Sequence, residues 1–96
     1  MYGTIAHMRA KPGMEKKLTE HLREFEAAHV PGAVGVYVYR MDADPNEYEV
    51  AVVFESKESY FANANSPEQN ARYEKLVGFL ERAPEWHDGE IVYAPS

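Results

Sequence analysis

The stretch FESKESYFANANSPEQ, residues 54–69, carries two helix starts in close succession. Ser56 ends an apolar run and is followed by Glu58, so a hydroxyl can cap the first free N–H groups while an acid meets the positive end of the helix dipole. Ser66-Pro67-Glu68-Gln69 then repeats the signal with a Ser cap, Pro at the first helical position and Gln three residues after the cap. A helix broken in two is therefore predicted, a short piece through Asn63 and a longer one over Pro67 to Arg82 that stops at Ala83-Pro84. In the longer piece Tyr73, Leu76, Val77 and Leu80 keep the i, i+3, i+4, i+7 spacing of one apolar face.

Working outward, Glu47 to Glu55 (EYEVAVVFE) and Ala33 to Met41 (AVGVYVYRM) are rich in Val and Tyr. The DADPNE segment joins them as an antiparallel hairpin. Tyr2 to Arg9 (YGTIAHMR) reads as a strand halted by Lys11-Pro12-Gly13. Met14 to His29 reads as a helix with Met14, Leu18, Leu22 and Phe25 on one face and Pro31-Gly32 as its stop. Glu90 to Tyr93 (EIVY) is predicted as the last strand, with Asp88-Gly89 a turn or bulge before it. The order β-α-β-β-α-β implies an α+β, ferredoxin-like antiparallel sheet with the helices on one face, a single domain over residues 1–96.

The 96 residues carry a formal net charge of −6 and no Cys. The charge disfavours nucleic acid, which needs clustered Lys and Arg to displace counterions. The missing thiols exclude disulfides, thiolate metal sites and a Cys nucleophile. No apolar run approaches the ~18 residues of a membrane span, and nothing near Met1 resembles an export signal, so a soluble, cytoplasmic protein is expected. P-loop, dinucleotide, zinc-protease and nucleophile-elbow patterns are absent.

Alternation along the hairpin places Tyr48, Val50, Val52 and Phe54 on one side and Ala51 and Val53 on the other. Strand two sets Val34, Val36 and Val38 against Tyr37, Tyr39 and Met41. Neither side is polar, unlike a half-solvated sheet. Leaving four such side chains in water would forgo roughly 6–12 kcal/mol, comparable with the ~5–15 kcal/mol stability of a whole domain. A homodimer packed sheet to sheet is the expected solution. His7 faces that partner if Ala6 and Met8 pack under the helices, and lines a cleft as a base if the strand is turned over.

The strand-KPG-helix opening, the Pro-Gly before strand two, the F-E-S ending of strand three, the aromatic short helix and S-P-E-Q together resemble the antibiotic biosynthesis monooxygenase-like family. The resemblance implies a dimeric α/β barrel. It also implies an aromatic quinol- or polyketide-type substrate, bound between sheet and helices and reacting with O2 without metal or flavin. The family's oxygenases keep an Asn and a Trp four apart on strand three and a Tyr six residues beyond that Trp. Aligned on the E-S pair, the Tyr falls on Tyr60, the Trp on Phe54 and the Asn on Val50. Tyr60 is thereby implied as the catalytic residue, with Phe54, Val50, Asn63, Tyr73 and Trp86 lining the substrate site. Val50 cannot donate a hydrogen bond, so a non-catalytic dimeric barrel binding a small apolar metabolite stands as the alternative. The His that binds iron in haem-degrading relatives has no counterpart on the long helix, where Tyr73 stands near its place.

Other residues have plainer readings. Tyr60 also suits packing its ring on the sheet with the hydroxyl in water, and Phe61 suits the core. Asn63 and Asn65 can satisfy the end of the short helix. His21 and His29 read as surface residues of the first helix, too far apart along it to share a metal. Trp86 reads as a plug closing the cleft or barrel, and His87-Asp88 is too short a motif for a metal site.

Overall fold

The computed structural model describes residues 1–95 and consists of β1 (Tyr2–Arg9), α1 (Glu15–Ala27), β2 (Ala33–Arg40), β3 (Glu47–Phe54), α2 (Lys57–Ala64), α3 (Pro67–Val77) and β4 (Glu85–Glu90). The strands form one antiparallel sheet in the order β2-β3-β1-β4. This is the predicted α+β, ferredoxin-like arrangement, with the second helix in two pieces.

Local chemistry sets most of the breaks. After β1, Gly13 takes a positive φ of 83° and Met14 N–H closes the turn on Lys11 O at 2.9 Å. Before β2, Gly32 has φ 80°, and a Cβ there would lie 2.5 Å from Ser59 Cβ. Only glycine lets the chain pass this close to α2. Ser56 and Ser59 cap α2 reciprocally: Ser56 Oγ accepts from Ser59 N–H at 3.1 Å, and Ser59 Oγ accepts from Ser56 N–H at 3.3 Å. Ser66 Oγ likewise accepts from Gln69 N–H at 3.1 Å, but the Gln69 side chain turns away to Arg72 and leaves that capping box half made.

Two predicted boundaries are corrected. The helix α3 ends at Val77, not Arg82, because Gly78, Phe79 and Leu80 bond back to Lys75, Leu76 and Val77 in tighter i→i+3 turns. Leu80 keeps a core place, 2% exposed, without being helical. The last strand is EWHDGE, residues 85–90, not EIVY. Its register against β1 runs from His7↔Glu85 to Tyr2↔Glu90, and Ile91 N–H bonds to Met1 O at 3.0 Å. The ladder ends at Tyr2↔Glu90, and Val92 and Tyr93 lie outside it, exposed despite their strand propensity. Asp88 and Gly89 are ladder residues opposite Thr4 and Gly3, not a turn.

The helices cover one face, where Ala6, Met8, Tyr48 and Val50 of the sheet meet Leu18, Leu76 and Leu80 in the core. His21 belongs to this buried face at 6% exposure, which corrects its surface reading. Phe61, expected in the core, is 37% exposed. Among the described residues no element packs on the opposite face, which presents Ile5, Tyr37 and Tyr39 to solvent. No helix of the described residues is long and apolar enough to cross a membrane.

Candidate functional site

A cavity of about 340 Å³ lies between the helix side of the sheet and the three helices. That is the lower end of the range for small-molecule sites. Tyr60, Phe54, Val50, Asn63, Tyr73 and Trp86, the residues singled out from the sequence, all stand in its wall. They arrive from four elements. Strand parity sends Val50 and Phe54 inward from β3 and Trp86 inward from β4, while α2 and α3 supply Tyr60, Asn63 and Tyr73.

The floor is apolar, with Val50 at 1% and Phe54 at 0% exposure. Tyr60 is clamped by edge-on rings, with Tyr2 at 5.3 Å, Phe54 at 5.5 Å and Phe61 at 5.1 Å between centroids. Such contacts fix the ring better than area burial alone. Its hydroxyl donates to Asp88 Oδ1 at 2.8 Å. Burial first, and then the Asp88 carboxylate, push the Tyr60 phenol up to about 12, so it is a neutral donor and acceptor at neutral pH. Beside it, Thr4 Oγ1 is buried with no hydrogen-bond partner. It is near enough to Tyr60 to oppose that shift weakly, yet the two hydroxyls do not reach bonding geometry. Tyr73 and Trp86 face one another at 6.5 Å on a further wall.

A second polar group gathers where α2 meets α3. Arg72 Nε donates to Gln69 Oε1 at 3.0 Å and Nη2 to Asn63 Oδ1 at 3.2 Å, while the guanidinium lies 5.9 Å from the centre of the Phe25 ring. These hydrogen bonds go to neutral oxygens, which orient the cation without neutralising it. From α1, His21 Nε2–H donates to Arg72 O at 3.0 Å and ties the two helices together at the cavity edge. The cavity thus offers the hydroxyls of Tyr60 and Thr4 at one place, amides and a cation near Asn63 at another, and an apolar surface between them. A flat ring system bearing oxygens would satisfy that arrangement.

Thr4 and Arg72 carry no reading from the sequence, while His21 and Asp88 are read there as a surface residue and a turn residue rather than as parts of the site. Leu18, His21, Leu22 and Phe25 keep strict helical spacing, so periodicity alone places His21 on the buried face. Asp88 depends on the β1–β4 register, for which no local signal exists. His7 lies on the opposite face of the sheet, since Ala6 and Met8 are the buried neighbours on β1. Its Nδ1 meets Glu49 at 2.9 Å and its Nε2 meets Glu47 at 2.6 Å, and next to it Arg9 pairs with Asp44, Glu47 and Glu81. This charged cluster is separate from the cavity.

Comparison with known proteins follows the same lines. No protein of curated function matches the chain significantly in sequence. A protein from Chloroflexus aurantiacus J-10-fl, provisionally described as an antibiotic biosynthesis monooxygenase, is similar at 28% identity and TM-score 0.81, over 99% of this chain and 96% of that one. A mutant of SnoaB, a cofactor-independent oxygenase from Streptomyces nogalater, shares the fold at TM-score 0.84 and 14% identity, over 97% and 94% of the two chains. A Deinococcus radiodurans protein with the same provisional description as the first has TM-score 0.84 at 12% identity, over 100% and 97%. The family model for antibiotic biosynthesis monooxygenases matches residues 1–75, from β1 into α3. With three quarters of its length so matched, the chain belongs to the antibiotic biosynthesis monooxygenase family.

Proposed function

We propose that the protein is a cofactor-independent monooxygenase acting on an aromatic quinol- or polyketide-type small molecule held in the helix-side cavity. The observation that carries this reading is the meeting of Tyr60, Phe54 and Trp86 in the wall of one apolar cavity whose polar groups stand at two places. The family membership and the fold shared with a cofactor-independent oxygenase support it.

In the proposed reaction the bound substrate loses an acidic O–H proton, and its electron-rich anion passes one electron to O2. The caged radical pair then recombines to a C–O-bonded peroxide, which takes up a proton and loses water as its O–O and C–H bonds break, leaving one oxygen on the substrate as a carbonyl. The chain's part is to exclude water with Val50, Phe54 and Trp86, to orient the substrate oxygens at Tyr60 and at the Asn63–Arg72 end, and to hold the moving proton. An electron-rich anion in an apolar site is stabilised mainly by such oriented donors.

The second reading, a non-catalytic barrel that binds a small apolar metabolite, is favoured by one feature. Val50, 1% exposed in the cavity floor, supplies no hydrogen bond. Under either reading a second copy covers the open sheet face, where Ile5, Tyr37 and Tyr39 stand 56%, 60% and 59% exposed. Burying such a surface is what a stable homodimer interface requires. Oxygen consumption separates the readings: Tyr60→Phe lowers uptake on 1,4-dihydroxynaphthalene by roughly tenfold or more. Uptake equal to that of the parent, or no uptake by the parent across a quinol panel, removes the monooxygenase reading.

A further inference from the structure

We propose that Asp88 is a positioning residue that makes Tyr60 the proton acceptor for the ligand and passes the released proton to solvent; this rests on the monooxygenase reading above. A phenol has one proton, and that of Tyr60 is directed at Asp88 Oδ1, 2.8 Å away. What Tyr60 Oη turns to any other neighbour is therefore its lone-pair side. The cavity wall carries Tyr60 on one side of this bond, while Asp88 lies on the exposed edge strand β4 on the other. The pair links a ring in an apolar cavity to a carboxylate in water.

Thr4 gives an independent sign that something binds here. It is the direct cross-strand neighbour of Asp88, its residue is 5% exposed, and its hydroxyl is buried without a partner in the same cavity wall. An unsatisfied buried hydroxyl is costly unless a ligand completes it. A ligand oxygen set against both hydroxyls would accept from Thr4 and donate its own proton to Tyr60.

The proton step balances without a tyrosinate. The ligand O–H bond breaks and its proton joins Tyr60 Oη as the original phenolic proton moves to Asp88 Oδ1. The neutral Asp88 carboxyl then releases that proton to water, leaving the ligand anion in the cavity and Tyr60 unchanged. Because Tyr60 resists ionisation, a concerted handover is the way it can serve as a base near neutral pH. The other charged or titratable groups around the pair are Tyr2 on β1, Lys57 of α2 with its ammonium 5.8 Å from the centre of the Tyr2 ring, and Glu90, two residues beyond Asp88 on β4. All of β4 lies beyond the residues matched by the family model, which end at Lys75.

The test joins two readouts on the parent, Asp88→Asn, Asp88→Glu and Tyr60→Phe. In NMR of tyrosine labelled at Cζ, the resonance lost in Tyr60→Phe identifies Tyr60. Asp88→Asn should bring its ionisation down by about one pH unit or more, and Asp88→Glu should restore it. With 1,4-dihydroxynaphthalene, Asp88→Asn should lower the turnover rate roughly tenfold at neutral pH with KM little changed, the loss shrinking as pH rises, and Asp88→Glu should recover part of it. An unmoved Tyr60 titration overturns the proposal. So does Tyr60-dependent uptake that is indifferent to Asp88→Asn. Absence of uptake by the parent counts against the monooxygenase reading, while the titration still decides the Asp88–Tyr60 coupling.

Discussion

The two faces of the sheet are made from alternate residues of the same strands, yet they are finished in different ways. On the helix side, Tyr48, Val50 and Phe54 are 0%, 1% and 0% exposed, and the chain's own helices close over them around a cavity. On the other side, Ile5, Tyr37 and Tyr39 are more than half exposed, and from the Tyr39↔Glu49 pair onward His7, Arg9, Glu47 and Glu49 form an ion-paired cluster. A sheet meant to face water would carry polar residues along its whole open side. The difference is one of covering: the chain's own helices close one face around a cavity, while the other keeps large apolar side chains exposed.

The largest effect is expected from damage to the closed face. Phe54 is fully buried and packs edge-on against Phe25 at 6.2 Å and Tyr60 at 5.5 Å. Phe54→Ala should cost about 3–5 kcal/mol in urea unfolding while leaving the assembled mass unchanged. A loss below ~1 kcal/mol would mean that the cavity wall is not continuous with the core.

The open face should respond the other way round. Tyr37→Glu places a charge among exposed aromatic side chains, and should weaken self-association by about a hundredfold, ~2.7 kcal/mol, with the chain still folded. Sedimentation at micromolar concentration checks it. If the parent itself runs as a monomer, the contrast between the faces loses its explanation.

The smallest effect belongs to the charged end of that face. His7 has its pKa raised above 6.5, chiefly by the hydrogen bond to Glu49, with the charges of Glu47, Glu49 and Glu85 adding to it against the cost of burial. The fold therefore favours the protonated ring. Its contribution is complete below the unfolded value of about 6.5 and disappears as pH rises through the higher folded value. Arg9, beside it on β1, keeps its charge throughout. Urea stability should fall by at most about 1 kcal/mol across this window, since the pair is partly solvated. His7→Gln should flatten the profile, and an unaltered slope would show that His7 is not its source.

Much of this fold was readable because its breaks are local chemistry. Pro12-Gly13, Pro31-Gly32, Ser56 and Ser66 each act on their own neighbours, and the elements begin and end around them. β4 failed that test. EWHDGE has little strand propensity and is a strand only because β1 offers it a free edge, whereas the better strand former EIVY runs past the end of β1. The end of α3 was misplaced for a related reason, as Leu80 keeps the apolar repeat in a tight turn that follows the helix. The site divides in the same way. Tyr60, Phe54 and Asn63 sit in or next to one capped segment and are implied by the family resemblance that this segment carries. Asp88 reaches Tyr60 across 28 residues through a register that no local motif specifies.

If the helix-side cavity holds a ligand, as proposed, Trp86 should report on it, being the only Trp in the chain and part of the cavity wall. Titration with 1,4-naphthoquinone should quench Trp86 emission saturably, with one site per chain, and Ala64→Phe, which fills the cavity from α2, should abolish the saturable component. Quenching that rises linearly with quinone and is the same in both proteins would contradict the account.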